Sequence, residues 1–187
     1  MHNQNSFFFQ NIRLTFDTNG FLSAVTADGQ TRMVNQEFLY YEAAIGDNRE
    51  FRNRSSGAYI FRPAAENVRV VSSNPSLTVY RGDLVEEVHQ KFNEWISQVV
   101  RVYRNDHHAE FEWLVGPIPI EDGKGKEIIT RFNSDIRSEG IFYTDSNGRE
   151  MIKRLRNHRD TWKVRLLERT SGNYYPITTK IALEDEN

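Results

Sequence analysis

The chain has 187 residues, with 24 Lys and Arg against 26 Asp and Glu, and a formal net charge of −2. A dedicated binder of nucleic acid or of an anionic membrane would carry a basic surplus, so both are excluded as expected partners. The absence of cysteine rules out an internal disulfide, a zinc ribbon, a thiolate nucleophile and an iron–sulfur site. No apolar run approaches the roughly 20 residues of a membrane helix. Met1-His2-Asn3-Gln4-Asn5 lacks the charged-then-apolar plan of a signal peptide, so no export signal is expected in the chain as given. The 12 Phe, 8 Tyr and 3 Trp supply enough bulk for a core of large side chains.

Period-two patterning then dominates in chain order. Ile12, Leu14 and Phe16 alternate with Arg13, Thr15 and Asp17 up to Asn19-Gly20, a dipeptide that favours the left-handed turns of hairpins. Residues 21–25 are expected as the return strand, Asp28-Gly29 as the next turn, and residues 31–34 as a third strand of a meander. From Leu84 to Tyr103 one alternate set holds Leu84, Val88, Phe92, Ile96, Val100 and Val102, and β-branched and aromatic density favours two long strands over a helix. Arg104-Asn105-Asp106 reads as a turn and residues 109–115 as a strand. Gly116-Pro117-Ile118-Pro119 must leave the sheet, because proline has no N–H for a ladder. After a Gly/Lys turn at residues 121–126 come a strand at 127–132, a segment carrying Phe142 and Thr144, and a turn at Asp145-Ser146-Asn147-Gly148. Residues 150–156 are the one stretch with a short-helix reading, and residues 174–183 close the chain. Many strands at short spacing, with no repeat or linker, predict an all-β antiparallel sandwich in a single domain over 1–187.

Several motifs carry chemistry on paper. His107 and His108 are adjacent, so on a strand they point to opposite faces and cannot readily converge on one zinc; His89 and His158 stand alone in the sequence. Glu110 and Glu112 share one strand face at about 6–7 Å, within the range of a glycosidase pair. The plainer reading is a solvated face, since nothing nearby would separate their pKa values. The run Glu121-Asp122-Gly123-Lys124-Gly125-Lys126 lacks phosphate-loop spacing and leads into a strand. Arg81-Gly82-Asp83 reads as a turn before a strand. Asn53-Arg54-Ser55 fits the N-glycosylation pattern, which makes Asn53 a candidate acceptor. In Ser56-Gly57-Ala58-Tyr59-Ile60-Phe61-Arg62-Pro63, two small residues precede Tyr59. On residue chemistry alone Tyr59 is either a platform for stacking on a sugar or base, or a buried Tyr tethered by one hydrogen bond, the second being the plainer reading.

Longer stretches add to this. Residues 40–48 (Tyr-Tyr-Glu-Ala-Ala-Ile-Gly-Asp-Asn), the segment from Ser56 to Pro63, residues 85–90, Trp113-Leu114-Val115-Gly116-Pro117-Ile118-Pro119, residues 125–132, residues 142–150 and Gly172-Asn173-Tyr174-Tyr175-Pro176 resemble, in order, the α-mannosidases of glycoside hydrolase family 38. The resemblance implies a large antiparallel β-sandwich of the supersandwich, galactose-mutarotase-like kind, downstream of a catalytic α/β domain and incomplete relative to the family. It implies an enzyme that removes terminal α-mannosyl residues from glycans with retention, using an Asp nucleophile, an acid/base carboxylate and a zinc whose ligands lie upstream. No nucleophile or metal ligand of the family maps onto this sequence, so no catalytic or metal residue is assigned, and no zinc is expected on this segment. Tyr59 matches a family Tyr that reaches into the mannose pocket, and Gly57 and Ala58 would let its strand approach the pocket wall. Further implications are a lysosomal location, the catalytic domain of the same enzyme as partner, and room for a homo-oligomer in the full-length form. The expectation is a partial chain, by gene model or natural truncation at Met1, that is inactive alone. The alternative is a stand-alone, non-catalytic carbohydrate-binding or interaction module.

Overall fold

A computed structural model describes residues 6–9 and 11–185. Its thirteen strands, among the described residues, are joined by turns and two short 3-10 segments, so the architecture is all-β as the alternation predicts. The chain divides into two compact units, residues 1–42 with 67–135, and residues 43–66 with 136–187.

The first unit opens with the expected meander: β1 (Ser6–Phe9), β2 (Ile12–Phe16), β3 (Leu22–Ala27) and β4 (Gln30–Glu42). Asp28 and Gly29 both have positive φ and pair Ala27 with Gln30, a two-residue hairpin of the kind that matches strand twist. At the earlier turn only Gly20 is left-handed, with φ +86°. There Asp17 closes a longer loop, its Oδ1 accepting from the backbone N–H of Asn19 and of Phe21, each at 2.9 Å. A Cβ on Gly20 would lie 2.6 Å from the Pro75 carbonyl oxygen, so both conformation and space demand glycine.

β4 is the spine of this sheet. It pairs with β3 and β5 (Arg69–Val70), and with β10 (Lys126–Ser134) in an unbroken antiparallel register from Val34↔Ser134 to Glu42↔Lys126. A second sheet runs in the order β6 (Ser76–Arg81), β7 (Val85–Lys91), β8 (Ile96–Tyr103), β9 (Ala109–Val115). The two pack face to face. Ile12, Leu14, Phe16 and Leu22 from one meet Val88, Val100 and Val102 from the other, and Phe38, Phe92 and Ile96 form a second cluster in which Phe38 and Phe92 meet edge to face at 4.7 Å. Leu84, expected on the apolar set, is exposed.

Three glutamines lie inside this sandwich. Gln36, Gln90 and Gln98 are each at most 2% exposed. Gln36 and Gln98 exchange amide hydrogen bonds in both directions, at 3.1 and 3.0 Å. Gln98 Nε2 also donates to Gln90 Oε1 at 2.8 Å, Gln90 Nε2 to the Gly20 carbonyl at 2.6 Å, and Gln36 Nε2 to Thr130 Oγ1 at 2.7 Å. The chain of amides therefore joins the Gly20 turn, β7, β8, β4 and β10, and no buried side-chain polar atom among the described residues lacks a partner.

The second unit contains the sheet β12 (Glu150–Leu155), β11 (Ile141–Ser146), β13 (Ile181–Ala182). Residues 150–155 are thus a strand, not the short helix read from the sequence. Asn147 and Gly148 are both left-handed and return the chain beside β11 from Ser146↔Glu150 to Ile141↔Leu155. Ladder pairing and alternate-face packing override a helical tendency that Lys153, Arg154 and Arg156, three basic residues in seven, already weaken. Of residues 174–183, only Ile181 and Ala182 are strand.

Thr144 and Asp145 are the only buried side chains among this unit's described residues. Asp145 Oδ1 accepts from the N–H of Thr178 (2.8 Å), Thr179 (3.1 Å) and Lys180 (3.3 Å), and Oδ2 from Gly148 N–H (2.7 Å) and Thr179 Oγ1 (3.1 Å). Burial alone would push its pKa up, but these backbone donors hold the carboxyl well below the usual carboxylate range.

Two outcomes are expected, both measured in the complete polypeptide. Gln98→Ala strands the amides of Gln36 and Gln90 at roughly 1–3 kcal/mol each, so hydrogen exchange at the β4 and β8 amides speeds sharply; exchange within error of wild type would show that the relay contributes nothing. Asp145→Asn turns one acceptor edge into a donor facing N–H groups, which speeds hydrogen exchange at the Gly148, Thr178, Thr179 and Lys180 amides at neutral pH. Because the folded pKa lies below the unfolded value of about 3.9, the carboxylate's stabilisation is complete above that value and is lost as pH falls below it. Exchange at these amides therefore steepens on acidification in wild type and not in Asp145→Asn, and parallel acid profiles would refute the assignment.

Candidate functional site

The segment 43–66 carries Tyr59 and Asn53, and it is ordered by its own polar side chains. Ser55 Oγ donates to the Gly46 carbonyl at 2.8 Å and accepts from Gly46 N–H at 3.0 Å. Asn48 Oδ1 accepts from Ser55 N–H at 2.9 Å, and Asn48 N–H donates to the Asn53 carbonyl at 2.9 Å. The backbone comes so close that a Cβ on Gly46 would lie 2.1 Å from the Asn53 carbonyl oxygen, a position that admits glycine alone.

Arg62 holds the segment from one side. Its Nη1 donates to the carbonyls of Arg52 (3.1 Å) and Arg54 (2.8 Å), which flank Asn53, and its Nε donates to Glu168 Oε1 at 3.1 Å. The half-buried guanidinium thereby ties residues 52–54 to the later part of the same unit, and with Pro63, Glu66 and Arg169 it lines a cleft of about 320 Å³. Phe61 stacks on Tyr174 at 4.8 Å with planes 7° apart.

Gly57, Ala58, Tyr59 and Ile60 form a tight turn, not the strand expected from the motif. Gly57 and Ile60 exchange backbone hydrogen bonds at 2.9 and 3.3 Å, and Ser56 Oγ donates to the Ile60 carbonyl at 3.2 Å while accepting from Arg62 N–H at 3.1 Å. Small residues at 56–58 fit a tip of this tightness. Tyr59 sits on it fully exposed, so the buried, tethered tyrosine is not what this chain presents. The ring offers an open π-face and the hydroxyl a donor and acceptor, the equipment for stacking on a sugar and bonding its hydroxyls. Asn53 is exposed on a 3-10 turn, Phe51–Asn53.

The remaining candidates are dispersed or already occupied. Glu110 accepts from Tyr103 Oη at 2.8 Å, raising the Tyr103 pKa, and Glu112 accepts from Arg101. Arg101 also reaches Glu87 at 2.7 Å, and Glu87 bonds His89 at 2.8 Å. The His89 and Arg101 bonds hold Glu87 below its ordinary pKa. In this cross-strand ladder on β7, β8 and β9 each of these carboxylates is already engaged by a neighbouring side chain. His107 and His108 are exposed in the turn after β8, and His158 bonds Asp160 at 3.1 Å. The 121–126 run is a turn locked by Lys126, whose Nζ donates to both Asp122 oxygens at 2.9 Å and to the Pro119 carbonyl at 2.8 Å, keeping the Asp122 pKa low. Arg81 pairs with Glu86 at 3.0 Å. Sequence reading overlooked Arg62 as the organiser; its one signal was a basic residue closing a small-residue motif.

Residues 10–187 match the family described as the C-terminal domain of family 38 glycosyl hydrolases. The chain belongs to glycoside hydrolase family 38. It is 46% identical to the lysosomal alpha-mannosidase of Homo sapiens over 181 residues, which cover 95% of this chain and 18% of that protein. It is 49% identical to the lysosomal alpha-mannosidase of Felis catus over 154 residues, 82% of this chain and 15% of the relative. With the alpha-mannosidase of Canavalia ensiformis it shares 47% over 154 residues, 82% and 16% respectively. The chain therefore spans less than a fifth of the length of these family 38 relatives, and it corresponds to part of the family's C-terminal region.

Proposed function

We propose that this chain is the non-catalytic, substrate-contacting part of an α-mannosidase that removes terminal α-mannosyl residues from glycans with retention, with Tyr59 as its contribution to the mannose pocket. The observation that carries the reading is Tyr59 itself, a fully exposed aromatic on the tip of a segment whose backbone is fixed by Ser55, Asn48 and Arg62. Such a tip presents a ring and a hydroxyl without the entropy cost of ordering a loose loop. In this reading nucleophile, acid/base and metal belong to the remainder of the enzyme. Among the described residues no group of three or more His, Asp or Glu side chains converges as a metal site requires, so no zinc chemistry is derived from this chain. The same reading makes Asn53 a glycan acceptor in a lysosomal protein, and takes 1–187 as part of one β-sandwich domain.

The second unit supports a partnership with the rest of the polypeptide. Phe51, Trp162, Leu167 and Ile177 are each more than half exposed, while only Thr144 and Asp145 are buried among the unit's described residues. Exposed apolar surface on this scale is typical of an interaction face. A stand-alone carbohydrate-binding module would instead keep that surface covered by itself.

Two experiments follow. In the complete enzyme, Tyr59→Phe and Tyr59→Ala lower kcat/KM by about ten- to a hundredfold, the worth of roughly 1.5–3 kcal/mol for a strong hydrogen bond, with the alanine variant the worse; unchanged kinetics in both would remove Tyr59 from the pocket. Expressed by itself, the 187-residue chain aggregates or melts without cooperativity. A monodisperse, cooperatively melting monomer would favour the independent module.

A further inference from the structure

The second unit holds another polar feature, on the far strand of its sheet. Arg154 on β12 and Arg159 in the turn beyond it both place their guanidinium carbons over one ring, that of Tyr175, at 5.1 and 4.9 Å from its centroid. Phe142 braces that ring edge-on at 5.1 Å. Arg159 is fixed further by bonds to the Tyr175 hydroxyl and to the carbonyls of His158 (2.7 Å) and Gly172 (3.1 Å). Arg154 uses its Nε on Thr144 Oγ1 at 3.2 Å, which leaves both its terminal nitrogens unengaged among the described residues. Neither guanidinium is paired with a carboxylate among those residues. The ring holds two like charges together without a counter-charge, an arrangement that a bound anion would relieve.

The surroundings deepen the bias. Arg154 and Arg159 line a cleft of about 420 Å³ together with His158, Asp160 and Tyr175, at the sheet edge where the side chains of Lys153, Leu155 and Ile141 belong to the opposite face. Its one acid, Asp160, is engaged by His158 at 3.1 Å. We propose that this cleft is a binding site for a phosphate group, gripped by the free fork of Arg154 with Arg159 as the supporting charge. Two guanidiniums with no carboxylate partner among the described residues match a phosphate monoester, which carries about −1.5 to −2 at neutral pH, better than a singly charged carboxylate. The ligand is then either free phosphate or a monoester whose carbon portion extends out of the cleft. Nothing in this proposal depends on Tyr59 or on mannoside cleavage.

The test uses the complete protein, titrated calorimetrically with inorganic phosphate and with phenyl phosphate against chloride at matched ionic strength. The expected result is saturable binding of phosphate and not of chloride, weakened at least about tenfold by Arg154→Gln and unaffected by Arg165→Gln outside the cleft. Tighter binding of phenyl phosphate identifies a monoester, and equal binding identifies the free ion. In unmutated protein, modification of Arg154 by phenylglyoxal, read by peptide mass spectrometry, is blocked over the same phosphate range. This arm stands even if the variant misfolds. Binding that does not saturate, affinity indifferent to a folded Arg154→Gln, or an Arg154 whose modification phosphate does not alter would overturn the site.

Discussion

The first unit is organised around a line of amides through an apolar interior. Hydrophobic packing such as that of the cluster holding Leu14 and Val100 is tolerant of small displacements, because dispersion and burial are nearly non-directional. The reciprocal bond between Gln36 and Gln98 is not tolerant: it requires two carboxamides to meet edge to edge at about 3 Å. Sliding β8 by one residue would carry Gln98 to the solvent face and bring Val99 inward, leaving Gln36 and Gln90 buried and unpaired. The relay and the apolar set of Ile96, Val100 and Val102 share one phase of β8 and therefore demand the same register. The relay also brings the Gly20 turn, β7 and β10 under the same condition, since each contributes one partner.

The second unit is held by different forces. Its described residues bury almost no hydrophobic side chain, and its order comes from saturated polar groups. Asp145 gathers the backbone of 178–180 and of Gly148 around one carboxylate, and Arg62 gathers the carbonyls around Asn53. Charge-assisted bonds of this sort are strong and directional, but they do not hide apolar surface. Such a unit is well shaped locally and still leaves rings and aliphatic chains in contact with water.

Much of the fold was legible because the meander, β7, β8 and β9 largely alternate, with Trp95 and Val99 as apolar exceptions, and end in Asn-Gly, Asp-Gly and Gly-Pro signals. The glutamines escaped notice because they share the phase of Val88 and Ile96 but count as polar, and only a partner distant in sequence makes a buried amide affordable. Residues 150–156 were ambiguous for a related reason: a short segment with three basic residues has little intrinsic preference, and pairing with β11 decides it. At the candidate site, the Tyr59 motif could be singled out, yet whether the ring was buried or exposed depended on a turn made by Ser56, Gly57 and Ile60. The Arg154–Tyr175–Arg159 stack joins residues up to 21 positions apart and has no local pattern at all.

The contact between Gly46 and the Asn53 carbonyl bears on how sequence variants here should be read. Position 46 touches no ligand in any of these readings, yet its lack of a side chain lets residues 43–55 fold back on themselves. A replacement there is a lesion of assembly: it lowers the amount of folded protein through quality control and removes none of the side chains that would meet a ligand. Conditions that favour the native state, such as growth at lower temperature or a ligand that binds only the folded form, would restore abundance without touching the chemistry.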